Sequence, residues 1–396
     1  MNSDEIKALD DQYVLHTYAR APFVLERGEG VRLYDTEGKS YLDFVSGIAV
    51  NALGYGDPDV LRAIREQSEQ LMHVSNLYHT APQAQLAQML VQRSFADKVF
   101  FCNSGTEAVE AALKFARKWA KVGYAADKAD LVSFSDGFHG RTLGALSVTP
   151  RAHYQDPFKP LLPGTKLGTF NDLASAEALI DDQTCAVIVE PLQGEGGVNA
   201  AMPEFLQGLR ALCDRHHALL IFDEVQVGMG RTGTLWAHEA YGVTPDLMTL
   251  AKPLAGGLPM GATLMTQAVA DAMAPGDHGS TFAANPLVCA VAQVVVAKIA
   301  EPAFLEHVRW AGTYLQEGLG DLQQKYPHVR EIRGRGLIHG IAADVDVAPA
   351  VQGCFDEGML ACKAGNNVLR LLPPLVVQQG DLDEALTILD RACARL

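Results

Sequence analysis

Leu219-Leu220-Ile221-Phe222-Asp223-Glu224-Val225-Gln226 sets a four-residue apolar run directly against two acids. So short and uniformly apolar a run reads as a strand buried on both faces. Similar runs stand at Val99-Phe100-Phe101, Leu131-Val132-Ser133-Phe134 and Ala186-Val187-Ile188-Val189, with helical periodicity between them over 106–120 and 204–216. Strands separated by helices require crossovers, so the middle of the chain is expected to be an α/β sandwich around a mostly parallel sheet. In an open sheet of this kind ligands bind at the carboxyl ends of the strands, where Asp223 and Glu224 fall. Taken alone, the acidic pair also suits a solvated surface turn.

Two further stretches end strands in chemistry. In Leu247-Met248-Thr249-Leu250-Ala251-Lys252-Pro253-Leu254-Ala255-Gly256-Gly257 a Lys closes an apolar run and a Gly-rich loop follows. A desolvated lysine there has a lowered pKa and acts as an amine nucleophile towards carbonyls; the alternative is a side chain snorkelling to the surface. In Phe101-Cys102-Asn103-Ser104-Gly105-Thr106-Glu107-Ala108 a strand runs into a polar turn that opens a helix. Free backbone N–H groups at a helix start suit a phosphate, although Ser and Thr are common there simply as caps.

Composition bounds the partners. The 396 residues include 32 Lys+Arg and 47 Asp+Glu, a net charge of −15, which argues against a nucleic-acid or anionic-membrane partner. Hydrophobic residues make up 48% and charged residues 20%, an ordinary globular balance that excludes disordered and fibrous classes. The uncharged stretches 253–270 and 279–297 approach the length of a membrane span, but their Gly, Pro and polar residues make buried core the better reading. The acidic Met1-Asn2-Ser3-Asp4-Glu5 is unlike a signal or transit peptide, and seven cysteines without CxxC spacing suit a reducing cytosol, so a cytoplasmic protein is expected. Gly228-Met229-Gly230-Arg231-Thr232-Gly233 satisfies the dinucleotide fingerprint GxGxxG. It lacks the helix and ribose-reading acid that the fingerprint needs, and a Rossmann reading is set aside. The His216-His217 pair reads as a solvated helix end, and no metal is expected.

A phosphate cradle, a strand-end acid and a strand-end lysine, in that order on α/β crossovers, are the parts needed to hold pyridoxal 5′-phosphate (PLP). The chain resembles the class III, fold-type I PLP-dependent aminotransferases, the family of ornithine, 4-aminobutyrate and acetylornithine aminotransferases. The resemblance spans nearly the whole chain. It is densest in Asn103-Ser104-Gly105-Thr106-Glu107-Ala108, Phe138-His139-Gly140-Arg141-Thr142, Glu190-Pro191-Leu192-Gln193-Gly194-Glu195-Gly196-Gly197, Phe222-Asp223-Glu224-Val225-Gln226, Ala251-Lys252 and His278-Gly279-Ser280-Thr281-Phe282. Ser46-Gly47-Ile48-Ala49-Val50-Asn51 and Ser75-Asn76-Leu77-Tyr78 are most similar to the acetylornithine branch. Ala283-Ala284, Pro253 and Leu371 depart from the usual pattern.

The resemblance implies a large domain over 55–295 with a mixed, mostly parallel sheet, and a small α+β lobe from 1–54 and 296–396. It implies that Lys252 forms the Schiff base with PLP and then carries the proton. Asp223 would pair with the ring nitrogen, Gln226 with the ring hydroxyl, and Ser104, Gly105 and Thr106 with the phosphate. Phe138 would stack on the ring beside His139, and Thr281 would reach the phosphate of the neighbouring subunit in a homodimer with shared active sites. Arg141, Glu195, Ser280 and Arg370 are the implied substrate residues. Arg141 would hold a distal carboxylate and Arg370 the α-carboxylate of 2-oxoglutarate, with Glu195 neutralising Arg370 when an ω-amine occupies the site. The implied reaction moves the δ-amine of N-acetyl-L-ornithine to 2-oxoglutarate; other ω-amine donors remain alternatives.

Overall fold

Seven strands form the central sheet, in the order Lys98–Cys102, Gly261–Met265, Leu247–Leu250, Leu219–Asp223, Thr184–Val189, Asp130–Phe134 and Thr165–Gly168. This computed structural model describes all 396 residues. Neighbours from Leu247–Leu250 to Thr165–Gly168 pair in parallel, and Gly261–Met265 pairs antiparallel with both of its neighbours. The sheet is therefore mixed and mostly parallel, as the alternating runs and helices imply.

The period-two geometry of strands divides its apolar residues between two helical layers. Ala186, Ile188, Leu219 and Ile221 pack on one side with Val109, Ala112 and Ala116 of the helix Gly105–Gly123. Val187, Val189, Leu220 and Phe222 pack on the other with Leu206 and Leu209 of the helix Pro203–Arg215. Both faces are covered, so every residue of Thr184–Val189, Leu219–Asp223 and Leu247–Leu250 is buried. That is why these strands read as unbroken apolar runs.

The chain ends meet. Arg32–Asp35 and Ser40–Asp43 form an antiparallel hairpin, and Met359–Leu360 adds to it in parallel beside Ser40–Asp43. A second small sheet orders Val329–Arg335, Ile338–Ala343, Val368–Leu371 and Cys362–Ala364. One apolar cluster runs from Leu42 and Phe44 through Val295 and Leu315 to Leu389, so the two ends share a core with the interior. The uncharged stretch 279–297 contributes buried Val288, Cys289, Val291, Ala292, Val295 and Val296 to it. No single helix is long and apolar enough to cross a membrane. The helix Ser3–Tyr13, absent from the sequence reading, buries no residue and therefore has no apolar stripe to announce it.

His339 lies fully buried on Ile338–Ala343, with Nε2 against the Gly336 carbonyl at 2.7 Å and Nδ1 unpartnered. Burial pushes its pKa down to about 4, against about 6.5 for an unfolded histidine. The neutral ring therefore contributes its stability fully above about pH 6.5, and that contribution is lost as pH falls towards 4, at up to about 1.4 kcal/mol per pH unit. His339→Leu is expected to flatten the acid side of a stability–pH curve across this window, measured by urea unfolding at successive pH values; an unchanged slope would refute the assignment.

Candidate active site

The strand register gathers the chemistry at one edge. Parallel pairing of Asp223 with Thr249 sets the carboxyl end of Leu219–Asp223 beside that of Leu247–Leu250, and Lys252 follows two residues later. Thr184–Val189 ends next to them, with Glu190 at its exit. Above this edge opens a cavity of about 400 Å³. Ser104, Gly105, Thr106, Phe138, His139, Arg141, Glu195, Asp223, Gln226 and Lys252 all line it.

At the cavity floor, Asp223 is 4% exposed and its Oδ2 lies 2.8 Å from His139 Nδ1. Its Oδ1 accepts from the Thr249 hydroxyl at 3.2 Å and the Val225 amide at 3.1 Å. Burial alone would depress the His139 pKa, but the hydrogen bond to Asp223 and the charges of Asp223 and Glu190 overcome it and raise the value. Burial also acts on Lys252, pushing its ammonium below the ordinary lysine range, and Arg370 adds to the effect while Glu195, Asp223 and Glu190 oppose it. A lysine in that state holds more of the neutral amine that attacks carbonyls.

Ser104 caps the helix Gly105–Gly123, its hydroxyl accepting from the Glu107 amide at 3.3 Å. A helix start leaves its first N–H groups without intrahelical acceptors, a natural seat for a phosphate. Thr106 meets the neighbouring loop through its hydroxyl, 2.8 Å from that of Thr142. Gly140 makes this approach possible: its φ is +135°, and a Cβ there would fall 2.3 Å from Thr106 Oγ1.

Glu195 and Gln226 of the cavity lining are backed by Arg370, 1% exposed on Val368–Leu371. Its Nη1 donates to Glu195 Oε1 at 2.7 Å and to Gln226 Oε1 at 3.1 Å, and Gln226 Nε2 donates to Glu195 at 3.2 Å. Both ends of the Gln226 amide thus engage the ion pair. Burial would raise the Glu195 carboxyl, yet the Arg370 and Lys252 charges hold it below the ordinary carboxylate range. Arg370 Nε is buried without a partner.

Three expected residues do not line this cavity: Arg370 is reached only through Glu195 and Gln226, and Ser280 and Thr281 stand on a separate loop. Ser280 accepts a hydrogen bond from Asn103 Nδ2 at 2.9 Å without lining the pocket, and Thr281 sits exposed on the same loop. Two residues not singled out at the sequence level join the site. Glu190 takes the Phe138 amide at 2.8 Å, and burial raises its carboxyl to about 7. The signal that marked Asp223, an acid closing an apolar run, is equally present at Glu190. Tyr154 packs its ring on the Arg141 guanidinium, 3.5 Å from Cζ to ring centroid, and only the fold reveals this.

The donor set fits PLP. A helix start for a phosphate, a buried Asp–His pair for a ring nitrogen and a desolvated amine for an aldehyde face one cavity.

Comparison with known proteins agrees. Residues 13–393 match the family model described as aminotransferase class-III. The chain is 51% identical over 392 residues to a mitochondrial acetylornithine aminotransferase of Alnus glutinosa, covering 98% of this chain and 87% of that one. It is 51% identical over 386 residues to a succinylornithine transaminase of Yersinia enterocolitica, covering 95% and 93%. The structure of an N-acetylornithine aminotransferase from Stenotrophomonas maltophilia superposes with a TM-score of 0.84 at 38% identity, covering 98% of each chain. An ornithine aminotransferase from Toxoplasma gondii gives a TM-score of 0.96 at 32% identity, covering 100% of this chain and 95% of the other. Matched along its length and built around a lysine, an aspartate and a helix start at one sheet edge, the chain belongs to the class-III, PLP-dependent aminotransferases, enzymes that exchange amino and keto groups between amino acids and keto acids.

Proposed function

We propose that the enzyme transfers the δ-amine of N-acetyl-L-ornithine to 2-oxoglutarate, giving N-acetylglutamate 5-semialdehyde and glutamate, and that in arginine synthesis the reaction runs in reverse. The observation that carries this reading is the contrast between the two arginines. Arg370 is neutralised by Glu195 at 2.7 Å, whereas the Arg141 guanidinium, which lines the cavity, lies over aromatic rings and pairs with no acid. An ω-amine brings no carboxylate near the reacting carbon, so the Arg370–Glu195 pair stays closed and no buried charge is stranded. The distant carboxylate of the donor meets the planar fork of Arg141. When 2-oxoglutarate enters, its α-carboxylate displaces Glu195 and pairs with Arg370.

PLP, when bound, supplies an aldehyde for amine exchange and a ring that accepts electrons. Ser104, Gly105 and Thr106 would hold its phosphate and Phe138 its ring face. Asp223, hydrogen-bonded to His139, would hold a proton on the ring nitrogen, with Gln226 near the ring hydroxyl. Lys252 would hold the cofactor's aldehyde through its amine and would act as the base for the proton on the amine-bearing carbon of the donor. In the proposed assembly Thr281, exposed in one chain, reaches the phosphate site of a second subunit and Ser280 serves substrate binding, in a cytoplasmic homodimer without nucleic-acid or membrane partners. The division into 55–295 and 1–54 with 296–396 belongs to the same reading.

Rates with N-acetylornithine, N-succinylornithine, ornithine and 4-aminobutyrate, each with 2-oxoglutarate, test the substrate. N-acetylornithine is expected to give the highest kcat/KM; a preference for the succinyl donor, the substrate class named for the Yersinia relative, would replace it. Glu195→Gln is expected to slow the amine half-reaction about 10- to 100-fold, because Arg370 is left unopposed, while sparing the 2-oxoglutarate half-reaction. Equal losses in both half-reactions, measured by stopped flow, would refute the exchange of partners at Arg370.

A further inference from the structure

Arg141 lines the cavity, yet its anchor is not a hydrogen bond or an ion pair. Its guanidinium lies 3.5 Å from the centroid of the Tyr154 ring and 5.6 Å from that of Phe138, and the two rings meet edge to face at 6.5 Å and 82°. Tyr154 stands on the short helix Ala152–Gln155, which is itself fastened down. Gln155 Nε2 donates to the carbonyls of Leu146 and Thr149, each at 2.9 Å. The Thr149 hydroxyl in turn accepts from the His139 amide at 2.8 Å. The ring is thereby tied to the loop that carries Phe138, His139 and Arg141.

A carboxylate or amide anchor would consume the N–H groups that a substrate needs. An aromatic face holds the guanidinium through its π surface and leaves the in-plane donors free for a bidentate carboxylate. We propose that Tyr154 is a positioning residue that holds Arg141 for the carboxylate of the amine donor and so sets the enzyme's preference for carboxylated over carboxylate-free amines. This rests on the reading of Arg141 as the carboxylate grip. No hydrogen bond from the Tyr154 hydroxyl takes part; the ring alone is required.

The test compares N-acetylornithine with N-acetylputrescine, the same chain without the carboxylate, in PLP-loaded enzyme. Tyr154→Leu is expected to raise KM for N-acetylornithine about ten-fold, with kcat and the KM for N-acetylputrescine changing less than about two-fold. Tyr154→Phe keeps the ring and is expected to keep the preference. Arg141→Gln is expected to narrow the kcat/KM ratio of the two donors about 100-fold. If Arg141→Gln narrows the ratio and Tyr154→Leu does not, or if Tyr154→Phe loses as much as Tyr154→Leu, the role of Tyr154 is overturned and the Arg141 reading stands. If Arg141→Gln leaves the ratio unchanged, the Arg141 reading itself fails. Thermal melting and the visible absorption of bound PLP check folding; should Tyr154→Leu melt early, Tyr154→Trp and Tyr154→Gln make the same comparison of ring against no ring.

Discussion

Lys252→Ala is expected to abolish turnover, with kcat falling at least about 10⁴-fold, the combined loss of a covalent amine and a general base. The argument is local. Lys252 follows a strand whose every residue is buried, and desolvation pushes its ammonium below the ordinary range. Glu195, Asp223 and Glu190 oppose that shift, and desolvation prevails over them. Alanine leaves neither nucleophile nor base, and water in the cavity does not replace a positioned amine. Lys252→Arg separates amine from charge: it keeps a cation but carries no amine that condenses with an aldehyde, and it is expected to be equally inactive. The measurement is single-turnover amine transfer together with the visible absorption of the lysine-linked cofactor, which both variants should lack. Retention of that band in Lys252→Ala, or activity above about one per cent, would remove Lys252 from the chemistry.

What the sequence makes legible follows from what burial does to residue patterns. The central strands are covered on both faces, so Val187, Leu220 and their neighbours read as apolar runs whose ends mark the ligand edge. The acid and the lysine at those ends therefore stand out without coordinates. The strand Gly261–Met265 lies inside an uncharged stretch with Gly and Pro close by, where local pattern separates buried strand from buried loop poorly. The edge strand Thr165–Gly168, Thr-Lys-Leu-Gly, has only one buried residue and no run to reveal it. Within the site, contacts of low sequence separation or motif density were accessible; those made by tertiary packing were not. Tyr154 is thirteen residues beyond Arg141 with nothing in its neighbourhood to mark it, and the Gln226 amide joins Glu195 and Arg370 from three separate segments.

Asp223→Asn is the second large effect, with kcat expected to fall about 10³-fold while the fold persists. Asparagine keeps the shape and an oxygen that accepts from Thr249 and the Val225 amide, as Asp223 does at 3.2 and 3.1 Å. What it removes is the charge facing His139 at 2.8 Å. The His139 pKa must then fall, because burial, its largest influence, already acts downward and Asp223 supplies the opposing pull. A neutral amide beside a neutral imidazole gives the cofactor nitrogen no anion to hold its proton, and the ring loses its capacity to draw electrons from the substrate. Asp223→Ala adds a structural penalty of a few kcal/mol by stranding the buried Thr249 hydroxyl, the Val225 amide and the imidazole together. Comparing the two variants separates chemistry from folding. A melting temperature near that of the parent with lost turnover in Asp223→Asn supports the electrostatic role. Full activity in that variant would show that Asp223 holds the strand end together and nothing more.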